Sequence, residues 1–284
     1  MADGRVRFGI KTAQMGGPYE GMLEAWLEAD RLGFDTAWAH DHLLNQNDVS
    51  KPEEEGWVIL AALLAQTTRV QGGLMVTANT FRHPGVLAKM ATTIDRISNG
   101  RCLVGLGAGW MEAEHEQYGI PLPAAGERLR MLDEACQVMI ALWTLERASF
   151  EGAHYQLREA YHEPKPIQRP HPPLVIGGSG EKVTLRIVAK YANEWNFNGR
   201  TANAEEFVRK SRILDDHCAA VGRDPSEIGR SVQFGAGPSA AESVALGHRF
   251  AEAGATHLIY SCPQPFSAEG ARWVWEEVVG PLKA

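Results

Sequence analysis

Cysteine is scarce in this sequence, and its positions exclude the usual cysteine-based architectures. The 284 residues include 4 cysteines, and no two of them form a CxxC pair. They stand far apart in the chain, at Cys102, Cys136, Cys218 and Cys262. This spacing argues against a disulfide framework and a zinc ribbon, and it predicts reduced thiols in a cytoplasmic protein.

Long apolar runs and an excess of positive charge are also absent. No apolar run approaches the roughly 18 residues that span a bilayer, and Met1–Val6 shows no charged-then-apolar targeting pattern. Lys and Arg number 28 against 35 Asp and Glu, a net charge of −7. We therefore expect a cytoplasmic protein that binds neither membranes nor nucleic acid.

What is present is a regular alternation of short β-branched runs and longer helical patterns. The predicted strands are Val6–Lys11, Thr36–His40, Val70–Val76, Cys102–Leu106, Leu174–Gly177, Glu194–Asn198, Arg230–Phe234 and Thr256–Tyr260. The predicted helices are Tyr19–Leu32, Trp57–Gln66, Pro84–Ser98, Glu127–Leu145, Gly180–Tyr191, Ala204–Val221, Ala240–Ala253 and Ala268–Gly280. Eight βα units in strict alternation predict a parallel sheet that closes into a (β/α)8 TIM barrel, of the α/β class. We expect residues 1–284 to form a single domain.

One interval breaks this alternation. Residues from about 107 to 173 separate the fourth and fifth predicted strands, and they include a long helix around Met131–Trp143. Prolines in the second half of Phe150–Pro173 predict an extended, helix-free approach to the fifth strand. The interval is an insertion in a βα loop, so we expect it to form part of the wall of a pocket.

Functional residues of a barrel follow the carboxyl ends of its strands. Here those positions carry mostly small, neutral residues, which suit close backbone approach to a large flat or phosphorylated ligand. The strongest signal is the turn Gly177–Gly180, which opens a predicted helix with Lys182 and Arg186 close behind. Backbone N–H groups at such a turn predict an anion site, and the alternative is a tight turn that needs glycine only for its dihedral angles.

The segment His40-Asp41-His42 ends the second predicted strand. Two histidines spaced in this way can bind zinc, but the other strand ends offer glycine and asparagine, so we predict no metal site. We interpret His42 as a proton donor, a base or a cofactor contact, and the alternative is a loop histidine that fixes the turn.

The insertion begins with further candidates. Charged residues follow the fourth predicted strand at Glu112, Glu114, His115 and Glu116. We interpret this run as a solvated acidic helix face rather than as a general acid. Trp110, at a strand end, is expected to line a pocket. The tryptophans expected in the core are Trp38, Trp57 and Trp143.

Several motifs together resemble a known family. They are Phe81–Arg101 running into Gly105–Trp110, then Trp38–His42, Pro172–Lys182 and Tyr191–Asn196. These motifs span nearly the whole chain, and they are similar to those of the bacterial luciferase-like monooxygenase superfamily, whose closest branch here is the deazaflavin (F420)-dependent oxidoreductases. The resemblance implies a TIM barrel, usually a homodimer, with the flavin-like ring over the strand carboxyl ends. It also implies hydride transfer between C5 of the deazaflavin and a small organic substrate.

The resemblance also implies site residues. The implied cofactor-binding residues are His42, Met75, Val76, Thr77, Ala108, Gly177, Gly178, Ser179, Asn198 and Gly199, and the implied catalytic residue is His42. Met75-Val76 lies where the family has a non-proline cis peptide below the ring. The sugar-phosphate dehydrogenases of the branch have a catalytic glutamate where this sequence has Trp110, which argues against a sugar-phosphate substrate.

The choice of cofactor depends on the phosphate end. FMN ends in one compact phosphate, whereas F420 continues into an acidic tail that Lys182 and Arg200 could meet. The open glycine turn and these cations favour F420, with FMN as the alternative. The rival functions are an FMN-dependent luciferase-like monooxygenase and a catalytically silent barrel that only binds a flavin or deazaflavin.

Overall fold

A computed structural model describes residues 5–15, 17–199, 203–235 and 239–283. Parallel strands form a closed barrel, in which β3 and β4 are two segments of the third barrel strand. The barrel strands are β1 Arg7–Lys11, β2 Thr36–Ala39, β3 Gln71–Leu74, β4 Thr77–Ala78, β5 Cys102–Gly107, β8 Leu174–Gly177, β9 Glu194–Asn198, β10 Gly229–Phe234 and β11 His257–Ser261. The pairing of β3 with β5 closes the ring, so the predicted (β/α)8 barrel is confirmed.

Helices follow the strands and cover the barrel. They are α1 Tyr19–Leu32, α2 Gly56–Gln66, α3 Pro84–Ile97, α4 Glu112–Tyr118, α5 Ala125–Thr144, α6 Thr184–Tyr191, α7 Ala204–Val221, α8 Ala240–Glu252, α9 Ala268–Trp273 and α10 Gly280–Lys283. A π-helical segment, Val274–Val279, joins the last two. The predicted helix Gly180–Tyr191 corresponds to α6, and its predicted start at Gly180 is wrong, because a turn precedes Thr184 and the Leu185 N–H reaches back to the Gly180 carbonyl at 3.0 Å.

The insertion contains α4, α5 and an antiparallel hairpin of β6 Arg147–Glu151 and β7 Gln156–Tyr161. The sequence predicts an extended, helix-free segment here but not the hairpin, because both strands are polar and largely exposed. The Glu134 carboxylate in α5 accepts N–H bonds from the hairpin turn, at 2.8 Å from His154 and 3.1 Å from Tyr155. The hairpin is thereby fixed to the helix.

The tryptophans divide between the core and the surface as the sequence predicts. Trp38, Trp57 and Trp143 are buried, whereas Trp110 is 63% exposed. All four cysteines are free and buried. Among the described helices, none has the length and apolar character needed to cross a membrane.

The amino-terminal end of the barrel is closed by a polar network of strand-initial residues. Glu194 Oε1 lies 3.0 Å from His257 Nδ1, and Glu194 Oε2 accepts from Arg7 at 3.1 Å. His257 Nε2 lies 2.8 Å from the Thr36 hydroxyl, and Arg7 also donates to Gln71 at 3.0 Å. These bonds join strands that are not all neighbours, so they stabilise the closed ring.

Candidate active site

A cavity of about 660 Å³ opens at the opposite end, where the barrel strands have their carboxyl termini. That volume is within the range of cofactor sites. The predicted site residues that line it are His42, Met75, Val76, Thr77, Ala108, Gly177, Gly178 and Asn198. Ser179 and Gly199 do not line it. Trp110, the predicted pocket wall, does.

One wall is the bulge between β3 and β4. The Met75–Val76 peptide bond is cis, as the resemblance implies. The Val76 side chain packs against two glycines at the ends of neighbouring strands, and a Cβ would lie 2.7 Å from it at Gly107 and 3.0 Å at Gly177. Glycine at these two positions therefore lets the bulge lie flat against β5 and β8.

The floor of the cavity is a polar chain across the strand ends. Lys11 Nζ donates to the Gln233 side chain at 2.9 Å and to the Met75 carbonyl at 3.4 Å. Gln233 donates to Asn196 at 2.9 Å, and Asn196 donates to Ser231 at 3.0 Å. The positive charge of Lys11 is thus held at the floor, beneath the cis peptide.

The glycine turn has the shape of an anion cradle. Gly178 has a φ of +120°, a conformation that favours glycine, and its carbonyl accepts from Trp195 Nε1 at 2.8 Å. Within the described ranges, the N–H groups of Ser179 and Gly180 donate to no protein atom. Free N–H groups beside a cavity fit the phosphate of a flat cofactor.

The cations expected near this turn have different positions. Lys182 is exposed and does not line the cavity. Arg200 lies outside the described residues. Lys210 on α7 instead reaches the turn, where its Nζ donates to the Ser179 carbonyl at 2.8 Å and to Glu181 at 2.9 Å. Lys210 therefore fixes the backbone of the turn.

His42 lies at the cavity edge and is held from behind by Glu114. Its Nδ1 lies 2.9 and 3.0 Å from the two carboxylate oxygens. Glu114 also accepts the N–H groups of Leu43 at 2.6 Å and Leu44 at 3.2 Å. Burial raises the pKa of Glu114. The hydrogen bond and the charge of His42, together with the two backbone N–H bonds, lower it by a larger amount, so the net shift is downward. Glu114 is therefore a carboxylate at neutral pH.

This placement corrects the interpretation of the acidic run. Glu112 and Glu116 are exposed, as expected for a solvated face, but Glu114 is 1% exposed and His115 is 3% exposed. The helical period gives the signal that the sequence interpretation missed, because residues two apart on a helix differ by roughly 200° and cannot share a face. Glu114 therefore points inward from α4.

The two residues that precede His42 in the chain also have side-chain partners. His40 Nε2 lies 2.6 Å from Glu53 Oε1, and the sequence did not indicate Glu53. Asp41 is buried and accepts from Arg82 at 3.0 Å, while Arg82 also donates to Glu55 at 2.8 Å. Among the described residues, no group of three or more His, Cys, Asp or Glu side chains could hold a metal ion.

Comparisons with known proteins agree with this geometry. The luciferase-like monooxygenase family matches residues 4–273. An F420-dependent glucose-6-phosphate dehydrogenase of Microbacterium testaceum is 34% identical over 229 residues, which cover 78% of this chain and 66% of the relative. An FMNH2-dependent dimethylsulfone monooxygenase of Pseudomonas putida is 28% identical over 222 residues, covering 76% and 60%.

A solved structure has the same fold. An F420-dependent secondary alcohol dehydrogenase, in complex with an F420–acetone adduct, superposes with a TM-score of 0.86 at 20% identity. The alignment covers 99% of this chain and 100% of that one. Since the family match extends over most of the sequence, the chain is an enzyme that belongs to the luciferase-like monooxygenase family.

Proposed function

We propose that this enzyme is an F420-dependent oxidoreductase that transfers a hydride between C5 of the deazaflavin and a small organic substrate. The observation that carries the proposal is the hydrogen bonding of the two ring nitrogens of His42. Its Nδ1 is bound to Glu114, and its Nε2 has no hydrogen-bond partner among the described residues at the edge of the cavity. The F420-dependent relative supports the choice of cofactor.

Two groups of residues would hold the cofactor. Met75, Val76, Thr77 and Ala108 would contact the ring. The phosphate would meet Gly177, Gly178 and Asn198 in the cavity, with Ser179 and Gly199 next to them in the chain. The deazaflavin, when bound, supplies the hydride donor or acceptor at C5. Lys11 contributes a positive charge at the floor, next to the Met75 carbonyl.

His42 moves the proton that accompanies the hydride. In the reducing direction, its Nε2–H gives a proton to the oxygen of a substrate carbonyl, and in the oxidising direction Nε2 removes the proton of a hydroxyl. Glu114 keeps Nδ1 protonated, and its negative charge stabilises the imidazolium form, in which Nε2 also carries a proton. The bond to Glu114 directs proton exchange to the nitrogen that faces the cavity.

Further features of the proposal concern the whole molecule. We propose that residues 1–284 act as one domain, that the enzyme is a homodimer and that it is cytoplasmic. Light scattering on the purified protein tests the dimer, and a mass equal to one chain contradicts it. Limited proteolysis that yields two stable fragments contradicts the single domain.

The cofactor is tested by titrating the purified protein with F420 and with FMN at matched ionic strength. Tryptophan fluorescence reports binding, because Trp110 lines the cavity, and Trp110→Phe shows which part of the quench comes from that residue. We expect F420 to bind at least about tenfold more tightly than FMN, a difference of about 1.4 kcal/mol. The reverse order favours the second candidate, an FMN-dependent monooxygenase, which the relative from Pseudomonas putida supports.

Turnover is tested with short ketones and secondary alcohols, because the solved neighbour holds an F420–acetone adduct. Glucose 6-phosphate is the comparison substrate, and we expect it to be turned over poorly, if at all. F420 binding without oxidation or reduction of any substrate in such a panel favours the silent barrel.

A further inference from the structure

Behind His42 lies a second histidine–glutamate pair that the proposed function does not use. His40 Nε2 and Glu53 Oε1 are 2.6 Å apart, and the two side chains are 4% and 2% exposed. Gln14 fixes the backbone on both sides of the pair, since its side chain donates to the carbonyls of His40 at 2.9 Å and Glu54 at 3.2 Å. The pair is therefore built into the fold and closed to solvent.

The hydrogen bonds of the pair indicate how many protons it holds. The second carboxyl oxygen of Glu53 is buried, and the described residues offer it no donor. A buried carboxylate with one oxygen unsatisfied costs more free energy than a neutral carboxyl group, whose O–H is used in one bond. A proton on Glu53 that is donated to Nε2 of His40 leaves both side chains uncharged.

Burial and the surrounding charges also favour the uncharged forms of both side chains. Burial lowers the pKa of His40 well below its usual range, and the neighbouring His42 and Lys11 lower it further. Burial raises the pKa of Glu53 to about 8, and the nearby carboxylates of Glu54 and Glu114 contribute. Near pH 7, His40 is therefore neutral and Glu53 protonated.

The state of His40 matters because its ring touches that of His42. The ring centroids are 4.8 Å apart, with 68° between the planes, so one ring presents its edge to the other. A charged His40 would oppose a second positive charge on His42 at this distance. A neutral His40 leaves the charge of His42 to be balanced by Glu114 alone.

We propose that His40 and Glu53 form a neutral pair, held by one shared proton, that positions the ring of His42 for proton transfer. The proposal rests on the proposed role of His42. Glu53 does not line the cavity, and His40 lines it with its Nε2 bound to Glu53, so we assign both as positioning residues that act through His42.

Substitution of Glu53 separates a neutral pair from a charged one. The amide of Glu53→Gln can donate to Nε2 of His40 as the carboxyl group does, so we expect kcat within about threefold of the parent and an unchanged pH profile. Glu53→Ala leaves Nε2 of His40 as a buried acceptor without a donor. We expect it to lower kcat by about tenfold, with KM and F420 affinity retained. Asp48→Asn, an exposed carboxylate in the same loop, is the control.

A loss in Glu53→Gln as large as that in Glu53→Ala overturns the proposal, because a negative charge would then be the essential feature. So does a Glu53→Ala enzyme with the parent's kcat and pH profile. Circular dichroism and thermal unfolding show whether each variant is folded.

Two spectroscopic measurements need no cofactor or turnover, and they therefore keep the pair distinct from the proposed function. Infrared difference spectra of the parent minus Glu53→Gln should show the C=O stretch of a protonated carboxyl group near pH 7. Imidazole NMR should show a neutral His40, and a His42 titration that is unchanged in Glu53→Gln and displaced in Glu53→Ala. A carboxylate band or a charged His40 contradicts the neutral pair. Positive spectra in a protein that fails to use F420 would remove the proposed function and leave the pair intact.

Discussion

Histidine–glutamate pairs lie at both ends of the barrel, and the pair at the amino-terminal end differs from His42–Glu114 at the other end in how much of its hydrogen-bonding capacity the protein uses. At the amino-terminal end, both nitrogens of His257 and both oxygens of Glu194 are bound within the network. At the carboxyl-terminal end, the protein binds Nδ1 of His42 through Glu114. On the proposed function, the same two residue types serve stability where they are saturated and proton transfer where one nitrogen faces a cavity.

The direction of the bonds at the amino-terminal end explains why His257 stays neutral. The Glu194 carboxylate can only accept, so Nδ1 of His257 carries the proton, and Nε2 of the neutral ring accepts from the Thr36 hydroxyl. The Thr36 oxygen itself accepts from Trp38 Nε1 at 2.8 Å. Burial lowers the pKa of His257, and this outweighs the opposite effect of Glu194. A histidine fixed in one tautomer in this way cannot exchange protons at neutral pH.

The largest expected effect is that of His42→Ala on turnover. Loss of a group that moves a proton in the transition state costs about 10²–10⁴-fold in kcat, and the Kd for F420 should change little. Steady-state kinetics and fluorescence titration measure the two quantities. His248→Ala, at an exposed histidine on α8, is the control. An unchanged kcat with weakened binding would reassign His42 to a purely structural contact and would remove the contrast between the two ends.

The converse substitution is Glu194→Gln, and its expected effect is on stability. The pKa of Glu194 is lowered from 4.5 to about 2: burial raises it, but the hydrogen bond from His257 and the charge of Arg7 prevail. A lowered pKa in the folded state means that the contribution to stability is present above about pH 4.5 and is lost as the pH falls towards 2. The variant should lose about 1.5–3 kcal/mol of unfolding free energy at pH 7, because an amide replaces the carboxylate that accepts from Arg7.

Urea unfolding measures this free energy, and kcat should stay within roughly twofold of the parent after correction for folded protein. Glu205→Gln, an exposed carboxylate in the first turn of α7, is the control. Between pH 4.5 and 2 the stability of the parent should fall more steeply than that of Glu194→Gln. Parallel curves would show that Glu194 is not the group that titrates.

Most of the fold could be predicted because its signals are local. The strands Leu174–Gly177 and Glu194–Asn198 have the bounds that the sequence predicts, and Gly33 and Gly222 end helices in the left-handed conformation. The hairpin β6–β7 was missed because its stability comes from contacts with α5 rather than from an apolar pattern of its own.

Less of the site could be predicted. Residues at strand ends were found because the barrel itself brings those ends together. Glu53 was missed for a different reason: its loop has no periodicity, and its partner His40, like the Gln14 that holds the neighbouring Glu54 carbonyl, is distant in sequence. Long-range burial of a charged residue leaves no trace in composition or spacing.

A smaller effect is expected for Glu114→Gln. The amide oxygen can still accept from the N–H groups of Leu43 and Leu44, so the fold should be retained, but the negative charge that stabilises the imidazolium is lost. A charge-assisted bond contributes about 1.5–3 kcal/mol, which corresponds to roughly a 10–100-fold loss of kcat. The loss should appear in kcat, with the Kd for F420 little changed. A kcat equal to that of the parent would show that Glu114 is structural, like Glu194.

The smallest effect is expected at the tryptophan beside each histidine. The ring of Trp110 lies 6.0 Å from that of His42 at the exposed mouth of the cavity, and Trp38 lies 6.5 Å from His257 but is fully buried. An exposed aromatic contact contributes about 0.5–1.5 kcal/mol, so Trp110→Ala should raise KM by roughly 3–10-fold, with unfolding free energy unchanged and kcat nearly so. Trp38→Ala should instead lower the unfolding free energy by about 3–5 kcal/mol. Trp110→Phe should keep KM near the parental value, because it retains an aromatic ring at this position. A Trp110→Ala enzyme with parental KM for every substrate would show that the substrate does not pass over this ring, and the mouth of the cavity would then have to be sought elsewhere along the insertion.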